Sequence, residues 1–514
     1  MTWSSLSILP PVKPAVRLAF AALLAVWVLA AHAQLSRLYL PWMDSWCYFA
    51  PGALAERPLS LHMPFMGSFD GADQTWGIHW PGAPLFFSLL GTWTGLQPQD
   101  HSWVLIGLWL LTAWLGGLTA RQLSIHPWAP VLVMAALLVD LGILNIATCR
   151  RPEIVAMVIL PVWLLLGKRV VSLKGKGWLS ALFAMVTALT VISHPVATVA
   201  MAGAAALSLL LALLGRLPWR VALAQSLGAL IGAAWFGGWL TQPHAWEQFR
   251  AHAQAASPSG LTLGPERGAW HLYAPAPGML IAFGLCGLGL LAAVKALFTR
   301  REVPLVHGLS LVILILALGA CHLFSNYHYL VVACAILWPV ALASGEHLIA
   351  CWGKASHASQ RGAWVVLVLA LFGGNAGLFA KRSVALLRTP ETNIAVELRD
   401  WYDNLVPAGP RILFPDVLWE AASQDPRHQV QLLTPAYVVT DATRRRYETE
   451  LYATLRSGDV VIEDLEPQYD QSLTRPWIGE HWPLIAQRDF ILPKALHLPN
   501  GRFSSYQLRV YQKP

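Results

Sequence analysis

Charge is what this sequence has least of. Only 12% of its 514 residues are Asp, Glu, Lys or Arg, against about 25% in a soluble protein. Hydrophobic residues make up 56% and the mean hydropathy is +0.49. An ordinary soluble domain is excluded, and a polytopic membrane protein is predicted. No Walker loop, no GxGxxG unit opening a helix and no GxSxG elbow occurs, so soluble nucleotide chemistry has no support. No basic-aromatic nucleic-acid module, internal repeat or low-complexity tract is present. The six cysteines show no metal-ligand spacing; Cys286 and Cys334 lie in apolar runs and read as core. The net charge of +8 points to cytoplasmic loops and anionic lipid rather than to nucleic acid. Tryptophan, by contrast, is abundant at 25. Interfacial belts and sugar stacking are both open readings, the second for Trp42, Trp46, Trp76 and Trp80, which fall in one loop.

Apolar runs of spanning length occur near 17–34, 103–120, 129–148, 154–167, 178–193, 195–214, 221–241, 279–297, 304–322, 328–345 and 363–380, about eleven helices. The first follows Lys13 and Arg17 and ends in Ala31-His32-Ala33, which mimics a signal-peptidase site. Its length and the spans that follow predict a retained helix. Segment 84–96 is apolar but short and reads as an interfacial helix. With the N-terminus inside, basic residues divide roughly fourteen inside to six outside, as the positive-inside rule requires. Counting 84–96 as a span would invert every later loop. The outer segments are then 35–101, 149–153 and 242–278. Cys47 and Cys149 share that face, which leaves a disulfide between them open. From about 381 to 514 charge and proline rise. A helix over 392–405, strands over 411–414, 436–440, 459–462 and 506–511, and a helix over 442–457 capped by Gly458 predict a small α/β domain on the outer face.

Chemistry-bearing residues gather on that face. Asp44 stands just past the first span, with Tyr48 one helical turn on. It reads either as a cap at the membrane edge or as a general base. Cys149-Arg150-Arg151-Pro152-Glu153 opens a span; Pro and Glu there are ordinary helix-start chemistry, and two arginines at a span's end commonly snorkel. The alternative is an anion site, because fixed cations stabilise the charge developing on a phosphate leaving group. Asp140 is either an intramembrane functional carboxylate or, if the helix ends early, simply a residue near the surface. His194 lies at a tight outer turn, as a structural or a functional histidine. His322, Asn326, Tyr327, His328 and Tyr329 surround another such turn, with a polar density suited to a substrate cavity. Loop 242–278 has the length of a lid, and its histidines lack zinc spacing.

The order of these features resembles the GT-C-type glycosyltransferases that use polyprenyl-phosphate sugars, the group of protein O-mannosyltransferases and bacterial aminoarabinose transferases. Asp44 and Tyr48 match an outer-loop Asp-x-x-x-Tyr. Trp80-Pro81-Gly82-Ala83-Pro84-Leu85-Phe86 matches a Pro-Leu-aromatic interfacial helix. Arg150-Arg151-Pro152-Glu153 stands at the second polar turn, and His328-Tyr329-Leu330 opens a late helix. The chain departs from the family in three places. Ser45 follows Asp44 where Glu is common. Pro-Gly-Ala-Pro-Leu replaces Lys-Pro-Pro-Leu, leaving His79 as the candidate stand-in for the lysine. Arg151 occupies the place of a second acid, and Glu153 follows the proline instead.

The resemblance implies a GT-C membrane domain over 1–380 and a periplasmic α/β domain over 381–514, in an inner membrane with the N-terminus cytoplasmic. The donor would be a sugar on a polyprenyl phosphate; the acceptor hydroxyl would belong to a glycan, lipid or protein. Asp44 and Glu153 are the expected catalytic acids. Tyr48, His79, Arg150, Arg151, His194, His328 and Tyr329 are the expected substrate contacts. No cofactor is expected, and a divalent metal has no supporting ligand pattern. The rival classes are a transporter or flippase for a lipid-linked substrate and an inactive scaffold of the same architecture.

Overall fold

The computed structural model describes residues 10, 13–38, 49–66, 69–77, 79–95, 100–124, 126–175, 177–256, 277–298, 331–351, 356–405, 410–433, 441–464, 482–497 and 505–514. Asp44, Cys47, Tyr48, His328 and Tyr329 lie outside the described residues, as do the expected span at 304–322 and strand at 436–440.

The fold is mostly helical. In chain order the helices are α1 (Pro14–Arg37), α2 (Ala50–Ala53), α3 (Gly82–Thr94), α4 (His101–Leu123), α5 (Ala129–Leu138), α6 (Leu141–Thr148), α7 (Glu153–Ser172), α8 (Trp178–Ser193) and α9 (Pro195–Leu213). There follow α10 (Trp219–Leu240), α11 (Ala245–Ala256), α12 (Pro277–Phe298), α13 (Cys334–Cys351), α14 (His357–Arg388), α15 (Ile394–Leu405), α16 (Trp419–Ser423) and α17 (Asp441–Ala453). Six of them, α1, α4, α7, α9, α10 and α14, are long and apolar enough to cross a membrane. The bent pair α5–α6 makes a seventh, and α8, α13 and the apolar part of α12 are shorter. Helix α3 has 13 residues, about 20 Å, too short for a hydrocarbon core of about 30 Å.

The expected single helix over 129–148 is broken. Val139 ends α5, and Asp140 takes an extended conformation, bending the pair by 42°. The Asp140 carboxylate and the last carbonyls of α5 all find partners at the break. The Asp140 Oδ1 accepts from the Gly142 and Ile143 N–H groups at 2.8 and 3.1 Å, and Oδ2 accepts from the Trp338 Nε1 at 3.0 Å. The last carbonyls of α5 are satisfied by indoles: Trp109 donates to Leu137 O at 2.7 Å and Trp27 to Leu138 O at 2.6 Å. Broken backbone at membrane depth survives only when its groups find such partners. Asp140 is therefore a buried helix cap; the helix does end early, but the residue is not near the surface as that reading expected.

Close helix contact rests on small residues. A Cβ at Gly228 of α10 would lie 2.3 Å from the Ala184 carbonyl oxygen of α8, and one at Gly232 would lie 2.8 Å from that of Ala188. The Gly-x-x-x-Gly spacing lets the two backbones meet.

Five strands follow: β1 (Ile412–Phe414), β2 (Val430–Leu432), β3 (Val460–Asp464), β4 (Leu484–Ile491) and β5 (Ser505–Gln512). They form one sheet in the order β2-β1-β3-β5-β4, parallel across the first three and antiparallel thereafter. β1, β3 and β5 coincide with expected strands; β2 and β4 were not foreseen. Helix α14 runs to Arg388, so the expected domain boundary at 380/381 falls inside it.

The expected outer segments meet at one end of the helices. Arg37, closing α1, donates to Thr392 O at 3.0 Å and Leu386 O at 3.3 Å, and also to Thr389 O, so it caps the end of α14. Loop 61–77 packs on the sheet unit: Phe65 on Phe414 at 5.3 Å, Phe69 on Tyr447 at 4.7 Å, and Asp70 paired with Arg446. Gln248 of α11 joins the same loop. Its Oε1 accepts from Gly77 N at 2.7 Å, and its Nε2 donates to Asp70 O and Thr75 O at 2.9 and 3.0 Å. A different hub joins the connections expected inside: Glu346 accepts from the Ser124 hydroxyl and from Trp364 Nε1 at 3.2 Å.

Candidate functional site

The site grows from the turn between α6 and α7. Helix α6 ends at Cys149, and Arg150 follows with φ 49°, a left-handed conformation usually left to glycine. Arg150 N donates to Ala147 O at 3.2 Å and Arg151 N to Ile146 O at 3.0 Å. These two bonds are a Schellman ending. An arginine at this position carries about 1–2 kcal/mol of backbone strain. Strain of this kind persists where surrounding contacts fix it, and it clusters at functional sites.

Arg151 and Arg150, adjacent in sequence, have different carboxylate partners. Arg151 turns to Glu153 at the start of α7: Nε lies 3.1 Å from both carboxylate oxygens and Nη2 lies 2.8 Å from Oε1. Both side chains are buried. His194 caps α9, its Nδ1 accepting from Val196 N at 3.2 Å. That bond leaves the ring proton on Nε2, which faces Glu153 Oε1 at 3.6 Å. Burial holds the His194 pKa below the ordinary imidazole value against the opposing pull of Glu153. At that distance the ring Nε2 and the carboxylate interact electrostatically rather than through a hydrogen bond. The His79 ring lies 6.1 Å from that of His194. Glu153, Arg151, His194 and His79, drawn from three separate stretches of sequence, thus form one cluster.

Arg150 turns to the sheet unit. Its Nη1 lies 3.3 Å from Glu420 Oε2, and its guanidinium sits 5.2 Å over the Phe49 ring. It lines a cavity of about 180 Å³ with Leu35, Ser102, Leu398, Arg399 and Glu420. The cavity lies between the ends of the membrane helices and α15–α16. It is the place where a ligand could meet a cation from each unit.

The aromatic loop is built for packing. Trp76 is buried. Trp80 donates to Thr198 Oγ1 at 2.8 Å and stacks on Phe236 at 5.0 Å. Trp80 is half-buried, and Trp42 and Trp46 lie outside the described residues. Of loop 242–278, residues 257–276 lie outside the described residues. Among the described residues no group of three His, Cys, Asp or Glu side chains is arranged to hold a metal.

Sequence reasoning missed Glu420, Gln248 and Arg382. Glu420 and Gln248 carry no local signal, since their partners lie far off in sequence. Arg382 had one: a basic residue at the edge of the last apolar run.

No protein-family model and no curated protein matches the sequence. Solved structures do match, among them two that align over nearly the whole chain. ArnT from Cupriavidus metallidurans in the apo state superposes with a TM-score of 0.55 and 13% identity, over 96% of this chain and 97% of that one. The same protein bound to undecaprenyl phosphate gives a TM-score of 0.54 and 13% identity over the same shares. ArnT is an aminoarabinose transferase of the GT-C type. The likeness is one of fold: this chain has an ArnT-like fold.

Proposed function

We propose that the chain is a multi-pass inner-membrane glycosyltransferase that takes a sugar from a polyprenyl-phosphate donor and places it on an acceptor hydroxyl at the periplasmic face. One observation carries the reading. The whole chain, helices and sheet unit together, follows the fold of a protein solved with undecaprenyl phosphate. The cluster of buried arginines at one end of the helices supports it, because a membrane protein keeps such charges where an anion is handled. In this orientation the N-terminus is cytoplasmic, and the unit after Arg388 is periplasmic.

The acceptor oxygen attacks the anomeric carbon, the bond from that carbon to the phosphate oxygen breaks, and polyprenyl phosphate leaves with both electrons. Configuration inverts. The acceptor proton passes to Asp44, with Tyr48 beside it in sequence. Arg150 takes the phosphate; its present partner Glu420 is 18% exposed and can be exchanged for a stronger anion. Arg151, Glu153 and His194 brace the turn that holds Arg150 in its strained conformation. Glu153 can also orient the acceptor, and His79, His194, His328 and Tyr329 contribute to the cavity wall. The acceptor is a glycan, a lipid or a protein.

A transporter is the weaker reading. Transporters of repeat architecture place substrate at paired broken helices. Among the described residues one bent pair occurs, and its break is filled by Asp140 and three indoles.

The test is transfer. Purified protein, a panel of radiolabelled polyprenyl-phosphate sugars and a membrane extract should yield labelled acceptor. Asp44→Asn should lower the rate by about a hundredfold or more while thermal stability holds. A stable Asp44→Asn protein with normal turnover removes the catalytic assignment. No transfer from any donor, with vectorial movement of lipid-linked sugar in vesicles instead, replaces the reading with transport.

A further inference from the structure

Three arginines are buried among the described residues: Arg150, Arg151 and Arg382, each 4% exposed. Arg150 has Glu420 and Arg151 has Glu153. Arg382 has no carboxylate among the described residues, and its Nε, Nη1 and Nη2 are all buried there without a hydrogen-bond partner. A guanidinium keeps its charge at any physiological pH. Burying one unpaired costs several kcal/mol, and at membrane depth such a residue marks a functional site by default.

Its place in the fold is well defined. Arg382 lies six residues before Arg388, the end of α14, so about 9 Å below the helix end. Its neighbour Ser383 accepts a bond from Gln34 Nε2 of α1 at 3.1 Å. One turn earlier, Phe379 meets Trp109 of α4 at 6.5 Å between ring centroids. Helix α14 packs here on α1 and α6. Helix α6 leads through Cys149 into Arg150, so the helix that carries Arg382 packs on the one that ends in the strained turn. Arg382 lies below the end of α14, whereas Glu420 meets Arg150 from the sheet unit.

We propose that Arg382 is the membrane-side receptor for the phosphate group of a polyprenyl-phosphate lipid, the anion that completes this buried cation. The inference rests on the functional reading above and adds a residue to it. The planar fork of a guanidinium matches two phosphate oxygens, and its charge-assisted bonds strengthen away from water. The chemistry gives the residue a direction as well. A glycosylated lipid phosphate is a diester with one negative charge. The released lipid phosphate is a monoester with about 1.5 to 2 charges at pH 7. A fixed buried cation therefore gains interaction as the sugar departs, which is stabilisation of the transition state over the donor. Arg150 and Arg382 would grip the phosphate from its two sides.

The test uses full-length protein in mild detergent and reads thermal stability with undecaprenyl phosphate, undecaprenol or inorganic phosphate. Wild type should be stabilised by undecaprenyl phosphate well beyond undecaprenol, and little by millimolar inorganic phosphate. Arg382→Met keeps the bulk and removes the charge. Without ligand it should melt at or above the wild-type temperature, because an uncompensated charge has gone. Its apparent affinity for undecaprenyl phosphate should fall at least tenfold. Arg382→Lys, with charge but no fork, should fall between the two. An Arg382→Met protein that melts lower, or is lost from the membrane, reveals an internal partner and overturns the proposal. So does one that keeps the wild-type response, in which case the functional reading stands alone. Equal stabilisation by inorganic phosphate assigns the site to the free ion and overturns the lipid assignment. Wild type that answers undecaprenyl phosphate no better than undecaprenol brings down both readings.

Discussion

The Arg151 guanidinium holds the Glu153 carboxylate by both oxygens, with Nε 3.1 Å from each and Nη2 2.8 Å from Oε1. Both side chains are buried. The pair joins the end of one helix to the start of the next and fixes where the preceding arginine points. Removing one partner leaves the other charge buried. Glu153→Gln should therefore destabilise the protein by about 3–5 kcal/mol. Replacing both, Arg151→Met with Glu153→Leu, should recover most of that loss. Denaturant or thermal melts in detergent read both effects, and a Glu153→Gln protein as stable as wild type would contradict the pairing.

Asp140 offers a sharper test of role. Its Oδ2 accepts from the Trp338 indole at 3.0 Å while Oδ1 caps α6. An amide can still cap, but its NH₂ would then face the indole N–H. Asp140→Asn should cost about 1–3 kcal/mol through that unmet donor. Adding Trp338→Phe should return part of it. Transfer per folded molecule should not change. A stable Asp140→Asn protein without activity would make the carboxylate a functional group after all.

The strain at Arg150 separates from its charge by comparing two substitutions. Arg150→Ala and Arg150→Gly both remove the ion pair to Glu420 and the contact with Phe49. They differ only in a Cβ at φ 49°. The glycine variant should be the more stable by about 1–2 kcal/mol, and both should lose transfer alike. Equal melting temperatures would mean that the turn is relaxed.

Orientation is open to direct labelling. Glu391, past the end of α14, and Ser172, at the end of α7, are both exposed. In a background without native cysteines, Glu391→Cys should react with an impermeant thiol reagent in intact spheroplasts, and Ser172→Cys should react only after lysis. The reverse pattern would invert the protein and move the site to the cytoplasm.

Much of this architecture could be read along the chain, because membrane insertion is governed by local quantities. Apolar run length located α1, α4, α7, α9 and α10 to within about five residues and fell inside α14, which extends beyond the expected run at both ends. The asymmetry of lysine and arginine predicted that Arg37, the 149–153 turn and loop 242–278 share a face, and the contacts through Arg37 and Gln248 bring those ends together. The Pro-Glu signature placed the start of α7 at Glu153. The break at Asp140 escaped, since a carboxylate inside an apolar run looks the same whether it binds an ion or caps a half-helix. Trp338, almost 200 positions away, makes the difference.

The sequence by itself determined that this is a mostly helical chain with apolar runs of membrane-crossing length and a charged α/β tail, and which residues stand at the ends of those runs. Hydrophobic run length, charge bias and capping residues suffice for that, because each acts over a few residues. Only the tertiary structure decided the partners: Glu153 with Arg151 and His194, Arg150 with Glu420 across 270 positions, and Arg382 buried with no acid among the described residues. Those pairings depend on which helix faces which. Packing settles that through small-residue contacts and buried hydrogen bonds that no single stretch of sequence displays.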